Sequence, residues 1–372
     1  MIGFYILAFA SGGCVRPFVN LYLVEVGLSG TQIGFLQGWT ALVSVAFTPL
    51  VGLLADRTQR HRLFLEIVIF LKSLFAPLIL LSNTFWWLTT TFSLRNISAS
   101  VSDALNNGLT LTRLREKNRS DLGTIRLWGS ISYAATSALA GFLAHGRSIG
   151  VLFPLSGVLG FLSMFFIRTF PARISTLKPT LAVNGSIFKR SSAMLFLFLL
   201  ILLFSFSRES LDTFGFVYLS EALGAGNDLI GILGAMIGLA PLLALYLADW
   251  CISHWGKVTA LGISFGLLAL SLWGYALIPT SLFAIPVVIL QGFSISIFLI
   301  SLVVALGDLS LQQNAATDQV LAQVTIPGLA GILAQPISGR IYDVLGGRML
   351  FSIDSLILVA AIVLLVGFYK RL

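Results

Sequence analysis

Tyr22-Leu23-Val24-Glu25-Val26-Gly27-Leu28-Ser29-Gly30-Thr31-Gln32-Ile33-Gly34-Phe35-Leu36 returns later in the chain as Tyr218-Leu219-Ser220-Glu221-Ala222-Leu223-Gly224-Ala225-Gly226-Asn227-Asp228-Leu229-Ile230-Gly231-Ile232-Leu233. The offset is 196 residues at the tyrosine and 197 at the Ile-Gly pair. Working outward, Pro49 and Leu54-Ala55-Asp56 have counterparts in Pro241 and Leu247-Ala248-Asp249, and Gly146-Arg147 with Leu152-Phe153 loosely echoes Gly347-Arg348 with Leu350-Phe351. The matching positions include polar turn residues, which chance likeness between apolar helices does not supply, so the chain reads as two related halves.

The solvent of those halves follows from composition. Of the 372 residues 57% are hydrophobic and 10% charged, against about 25% charged in a typical soluble domain. A bilayer-spanning helix takes about 20 mostly apolar residues, because hydrocarbon offers the backbone no hydrogen-bond partner. Twelve such stretches are expected, at residues 2–24, 33–54, 63–81, 84–106, 123–144, 149–168, 191–220, 229–248, 258–278, 281–304, 319–339 and 349–369. The first is too long for a signal-peptide core and carries Arg16, Pro17 and Asn20, so it reads as a retained helix. The polar connection 169–190, with Pro171, Pro179, Asn184 and Gly185, reads as a cytoplasmic linker between an N-terminal six-helix bundle (1–168) and a C-terminal one (191–372). The fold class expected is an all-α membrane protein of two pseudo-symmetric six-helix bundles. A parallel repeat of this kind places a solute site near mid-depth between its halves.

The net charge of +8 raises the question of nucleic acid, which the positions of the basic residues answer. Arg57, Arg60, Arg62, Arg113, Arg115, Lys117, Arg119, Arg168, Arg173, Lys178, Lys189, Arg190, Lys257, Lys370 and Arg371 fall in one set of alternate connections. Only Arg147, Arg340 and Arg348 fall in the other. The positive-inside rule places the first set, with both termini and the loops 55–62 and 107–122, in the cytoplasm of a plasma-membrane protein. The basic excess is therefore topological, and no nucleic-acid partner is expected. Two cysteines and three scattered histidines suggest no disulfide framework and no metal site, and no phosphate-binding glycine loop or enzyme motif appears. Asn96-Ile97-Ser98 and Asn118-Arg119-Ser120 match a glycosylation pattern by chance, one inside a helix and one in a cytoplasmic loop.

Gly52-Leu53-Leu54-Ala55-Asp56-Arg57-Thr58-Gln59-Arg60-His61-Arg62 resembles the helix 2–3 loop signature of the major facilitator superfamily, Gly-x-x-x-Asp-Arg-x-Gly-Arg-Arg, with Gln59 departing at the second glycine. Leu21-Tyr22-Leu23, Gly27-Leu28-Ser29-Gly30, Asp103-Ala104-Leu105 and Gly123-Thr124-Ile125-Arg126-Leu127-Trp128-Gly129-Ser130 resemble the branch that holds lactose, phenylpropionate and nucleoside permeases. In the second half Ala316-Thr317-Asp318-Gln319-Val320-Leu321 and Gly339-Arg340-Ile341-Tyr342-Asp343 fit as well. The resemblance implies a secondary transporter of a small organic solute (organic anion, sugar or nucleoside), working by alternating access as a monomer, without cofactor and with protons as co-substrate. It assigns a conformational role to Gly52, Asp56, Arg57, Arg60 and Arg62, for which a merely solvated loop is the alternative. It also assigns Arg126 to solute binding and Tyr133, seven residues on, to an aromatic platform. The acidic, arginine and histidine groups that the branch often carries in helices 8 to 10 are missing here. Any proton carrier must then lie elsewhere.

Charges inside hydrocarbon need a partner, a wet cavity or a use. In the fourth stretch Arg95, Ser98, Ser102 and Asn106 share a stripe flanked by Asn96 and Asp103, expected to line a cavity with Arg16, Asn20, Arg126 and Tyr133. Asp103 is placed to pair with Arg126, as part of the site or as a purely structural bridge. In the seventh, Ser205, Arg208, Glu209 and Asp212 share a face. The repeat offset equates Asp212 with Arg16, and the pair is expected to form in one conformational state, as a proton-linked gate or a static charge network. Lys72 and Asp354 are expected to pack inward for support. An uncoupled facilitator and a transport-dead receptor or assembly factor remain open beside the symporter.

Overall fold

The computed structural model describes residues 1–116, 121–174, 191–310 and 315–367, and these are helical without a strand. The helices run in order as α1 (Ile2–Glu25), α2 (Gly30–Thr58), α3 (His61–Leu81), α4 (Phe85–Glu116), α5 (Leu122–Ala144), α6 (Ile149–Thr169), α7 (Ser192–Glu221), α8 (Asn227–Trp255), α9 (Lys257–Leu277) and α10 (Ser281–Leu309). Two more, α11 (315–345) and α12 (347–367), run through one stretch broken at Gly346, whose φ of 79° a side chain would resist. The described residues thus form twelve helices of membrane length. By composition α1, α2, α3, α5, α6, α7, α9 and α10 each mark a span, α8 does so as a bent pair, and Thr317–Gly367, which holds α11 and α12, does so as one stretch; α4 falls short because of its polar stripe.

The loops expected at 55–62 and 107–122 are mostly helical: α2 continues to Thr58 and α4 to Glu116. Hydropathy marks where hydrocarbon ends, whereas the helix carries its hydrogen bonds within itself and does not stop there. Most of the 169–190 segment, residues 175–190, lies outside the described residues, as do Lys117 and Arg119. Local breaks follow proline. Pro17 lacks an N–H, and α1 tightens into a 3₁₀ turn at Arg16–Phe18. A π-helical turn at Leu321–Thr325 precedes Pro327 in α11.

The chain divides into two compact units. Unit 1 holds Met1–Leu28, Trp39–Lys178 and Gly226–Gly238; unit 2 holds Ser29–Gly38, Pro179–Ala225 and Leu239–Leu372. Unit 1 has a core of Phe4, Tyr5, Leu65, Ile69, Leu105 and Phe170. Unit 2 centres in part on Phe204, stacked on Phe298 at 3.8 Å and packed against Phe265 at 5.1 Å. The start of α8 belongs to unit 1, where Gly231 crosses Gly141 of α5: a Cβ on Gly231 would lie 2.9 Å from the Gly141 Cα. Ser137 Oγ donates to the Gly231 carbonyl at 2.9 Å, and Asn227 Nδ2 to the Ala144 carbonyl at 3.0 Å. The start of α2 belongs to unit 2, where Gly34 crosses Gly339 of α11 with an equally small allowance. There the Asp343 carboxylate accepts from Gly30 N and Thr31 N at 2.8 Å and from Thr31 Oγ1 at 2.6 Å, capping a helix terminus whose first amides lack partners. In lipid, close backbone approach through small residues is a main source of helix association.

The repeat is legible contact by contact. Tyr22 packs on Phe153 at 4.8 Å in unit 1 and Tyr218 on Phe351 at 5.4 Å in unit 2.

Candidate functional site

In unit 1 the α4 stripe turns inward. Arg95 is 8% exposed and Ser98, Ser102 and Asn106 are similarly buried, whereas Asn96 is half-buried and Asp103 exposed. The stripe is thus an internal polar seam with an accessible flank. Ser98 Oγ donates back to the Leu94 carbonyl at 2.8 Å, the usual way a helix absorbs a serine. Arg95 Nε finds no acceptor, a buried donor of a cationic group left over in the unit. Arg126 does not pair with Asp103: its Nη2 donates to Asn107 Oδ1 at 3.2 Å. Asn107 shares with Asp103 the accessible flank of α4 and, as an amide, can meet the guanidinium without adding charge. Nearby, the Tyr5 hydroxyl bonds Thr110 Oγ1 at 3.0 Å, and the Tyr5 ring stacks on Phe9 at 5.6 Å. Tyr133 is half-buried, with Gly12 and Gly13 of α1 and Gly238 of α8 against it. Arg16 sits exposed in the 3₁₀ turn, and Asn20 half-buried one turn on.

In unit 2 the expected face of α7 acquires partners that the sequence did not announce. Arg208 Nε lies 3.3 Å from Asp212 Oδ2, an i,i+4 ion pair. Gln291 of α10 donates through Nε2 to Asp212 Oδ1 at 3.2 Å. Gln335 of α11 donates through Nε2 to Glu209 Oε2 at 3.0 Å. Both glutamines are buried, and in both the amide oxygen Oε1 is unpaired. Gly331, one turn before Gln335, leaves room for the Glu209 carboxyl. Gln291 and Gln335 were missed because they carry no charge; the usable signal was their strong hydrogen-bonding groups in otherwise apolar helices.

The signature loop is knotted by a residue set aside as an isolated histidine. His61, 0% exposed, brings Nε2 to 2.8 Å from Asp56 Oδ1 while its Nδ1 accepts from Ile174 N at 3.3 Å. Arg62 N donates to the Ala172 carbonyl at 3.3 Å, so the α2–α3 turn is tied to the chain leaving α6. Arg57 and Arg60 are exposed, and the Arg62 side chain lies 3.9 Å from Glu66. Gly52 is half-buried, with open space where a Cβ would go. Among the described residues of the loop, Asp56 and His61 form the side-chain bond between α2 and α3. Gln59 takes φ 55° where the signature has glycine, its Nε2 donating to the Asp56 carbonyl at 2.6 Å.

Lys72 and Asp354 do lie in helices of the two units, Asp354 buried in α12 and Lys72 half-buried in α3. No group of three or more metal-ligating side chains occurs among the described residues.

Among curated proteins, the raffinose permease of Escherichia coli is 21% identical over 97% of this chain and 89% of its own. The maltose permease of Geobacillus stearothermophilus is 30% identical over 151 residues, which are 40% of this chain and 38% of that protein. Among solved structures, the nucleoside transporter NupG superposes with a TM-score of 0.87 at 16% identity, covering 99% of this chain and 97% of the other. A bacterial homologue of the iron transporter ferroportin in an inward-facing state gives 0.77 at 14% identity, covering 99% and 97%. The MFS_1 like family model matches residues 1–353. With twelve helices in two repeated halves and a family match over nearly its whole length, the chain belongs to the MFS_1 like family and is a membrane transporter of the major facilitator type.

Proposed function

We propose that this protein is a solute–proton symporter of the cytoplasmic membrane, a monomer with both termini in the cytoplasm, that carries a small organic solute by alternating access. The observation behind the proton is the pair of carboxylate–amide contacts, Glu209 with Gln335 and Asp212 with Gln291. In each, the amide N–H serves an ionised carboxylate and leaves the amide oxygen unpaired. A protonated carboxyl has an O–H to give, and the orphaned oxygen is an acceptor for it. Each amide can therefore hold its acid in both protonation states; Asp212 also has the Arg208 guanidinium at 3.3 Å, which serves its ionised form alone.

The solute reading rests on α4 and α5. Arg95 keeps an unpaired buried donor, Arg126 is held by a neutral amide, and Asn96 and Asp103 line the accessible flank. Two cations set against one carboxylate favour an organic anion, with a sugar or nucleoside as the alternatives that the names of the relatives suggest. Purified protein is to be screened by thermal shift against organic acids, maltose, raffinose and uridine, and the stabilising compound followed into proteoliposomes. Accumulation that collapses on adding an uncoupler, and that loses its pH dependence in Asp212→Asn or Glu209→Gln, is the expected result. Uptake indifferent to the uncoupler means a facilitator. Stabilisation by a ligand that is never transported means a receptor on the same scaffold.

A further inference from the structure

The internal repeat supplies a control for one residue that the site above does not use. In unit 1, α1 and α6 are joined by a reciprocal serine pair: Ser11 Oγ donates to the Ser156 carbonyl and Ser156 Oγ to the Ser11 carbonyl, both at 2.8 Å, with the two hydroxyls 3.0 Å apart. Shifting Ser11 by 196 gives Ser207 on α7, and shifting Ser156 by 198, the offset that relates Phe153 to Phe351, gives Asp354 on α12; these two positions do meet, Ser207 Oγ donating to the Asp354 carbonyl at 3.2 Å. The neighbouring rings keep the same register, Tyr22 on Phe153 and Tyr218 on Phe351. One crossing thus serves both units, and in unit 1 a serine suffices to pack it. Unit 2 carries a carboxyl instead.

That carboxyl is 1% exposed, and its Oδ2 has no hydrogen-bond partner. Ser210 Oγ lies beside it, also buried and without a bond of standard geometry. No cation pairs with Asp354 among the described residues; Arg340 of α11 is exposed, and other charged groups on the neighbouring helices are engaged elsewhere. On α7, Arg208 holds Asp212 and Glu209 holds Gln335. On α11, Tyr342 donates to Glu221 and Asp343 caps α2; on α12 itself, Arg348 donates to the Tyr218 hydroxyl. On α9, Lys257 pairs with Asp308, and the titratable group nearest in register is Tyr275, packed on Phe351 at 5.4 Å. An ionised carboxylate placed so would give up its hydration with no opposite charge in return. The neutral acid gives up much less, and its O–H can serve the Ser210 oxygen.

We propose that Asp354 is a second proton-binding site, set behind α7 on the side away from Glu209 and Asp212, and that it exchanges its proton with water during the transport cycle. The step is the dissociation of one carboxylic O–H bond with transfer of the proton to water, and its reversal. It takes place when α7 moves off α12 far enough to hydrate the carboxyl. This inference rests on the symporter reading above, and two readouts separate the fates of the two. Purified wild type, Asp354→Asn and Asp354→Ser, the last copying the Ser156 arrangement, are to be compared by infrared difference spectroscopy across a pH step in lipid. Wild type is expected to show a carboxylic-acid carbonyl band that is lost on the alkaline side, and both variants to lack it while melting as the wild type does. In proteoliposomes supplied with maltose, raffinose, uridine or phenylpropionate, the variants are expected to lose accumulation driven by an imposed pH gradient and to keep solute counterflow. Variants that keep the band, or that accumulate solute as the wild type does, overturn the proposal. If the wild type takes up a probe without response to the imposed pH gradient while the band behaves as expected, the symporter reading fails and the proton site stands.

Discussion

At the scale of single residues, the signature loop shows what a motif conveys and what it leaves out. Asp56 was legible as a bonding residue, but its partner was not, because His61 gains its role only from the distant backbone of Ile174. Similarly Arg126 was expected to pair with Asp103, yet its bond goes to Asn107, one turn beyond Asp103 on the same flank of α4. Side-chain reach decides among neighbours, and sequence spacing does not encode it. Gln59 is a clearer case, since the departure from glycine is visible in sequence and its consequence is visible in φ 55°. A side chain in that region costs about 1–2 kcal/mol, partly offset by the bond to the Asp56 carbonyl. Gln59→Gly is expected to leave the melting temperature unchanged or raised, and Gln59→Val, β-branched and without the bond, to lower it. A Val variant as stable as wild type would show that the turn is not held in this conformation. Asp56→Asn and His61→Phe are each expected to loosen the link to residues 172–174, read as faster proteolysis of the following segment.

At the scale of elements, helix order and approximate spans were readable because hydrocarbon imposes a length and a composition together. Helix ends were not, as α4 shows by running ten residues beyond 106 to Glu116. Nor were the helix crossings, because a glycine at a contact and a glycine facing lipid look alike in sequence. Gly141 and Gly266 make that contrast testable. A Cβ on Gly141 meets backbone of the α8 tip, whereas one on Gly266 meets open space. Gly266→Ala is expected to stabilise by up to about 1 kcal/mol through helix propensity, and Gly141→Ala to destabilise by about 1–3 kcal/mol through overpacking. Equal shifts in melting temperature would remove the claim that this crossing is tight. The Asp343 cap lies on the same scale: Asp343→Ala frees two amides and a hydroxyl at the start of α2, for an expected loss of about 1–2 kcal/mol. Asp343→Asn, which keeps an acceptor, should lose less.

At the scale of the molecule, the repeat carried most of what could be read, and the described contacts reproduce it at the tyrosine–phenylalanine, glycine–glycine and serine crossings. What it could not convey was difference: Gln291, Gln335 and Asp354 matter because the halves diverge there, and divergence has no signature in a single sequence. Orientation is another whole-molecule property, carried by where lysine and arginine fall rather than by any contact. In the proposed orientation, an even number of helices puts both termini on one side, and the basic excess of alternate connections makes that side the cytoplasm. Cys14 and Cys251 are buried, at 0% and 3% exposure, so an impermeant maleimide should find little background on the wild-type protein. Arg115 and Arg147 are both exposed and lie in connections of opposite parity. Arg147→Cys is expected to label in intact cells, and Arg115→Cys only after permeabilisation. The reverse pattern would invert the molecule in the membrane and, with it, the direction in which a proton gradient could drive the solute.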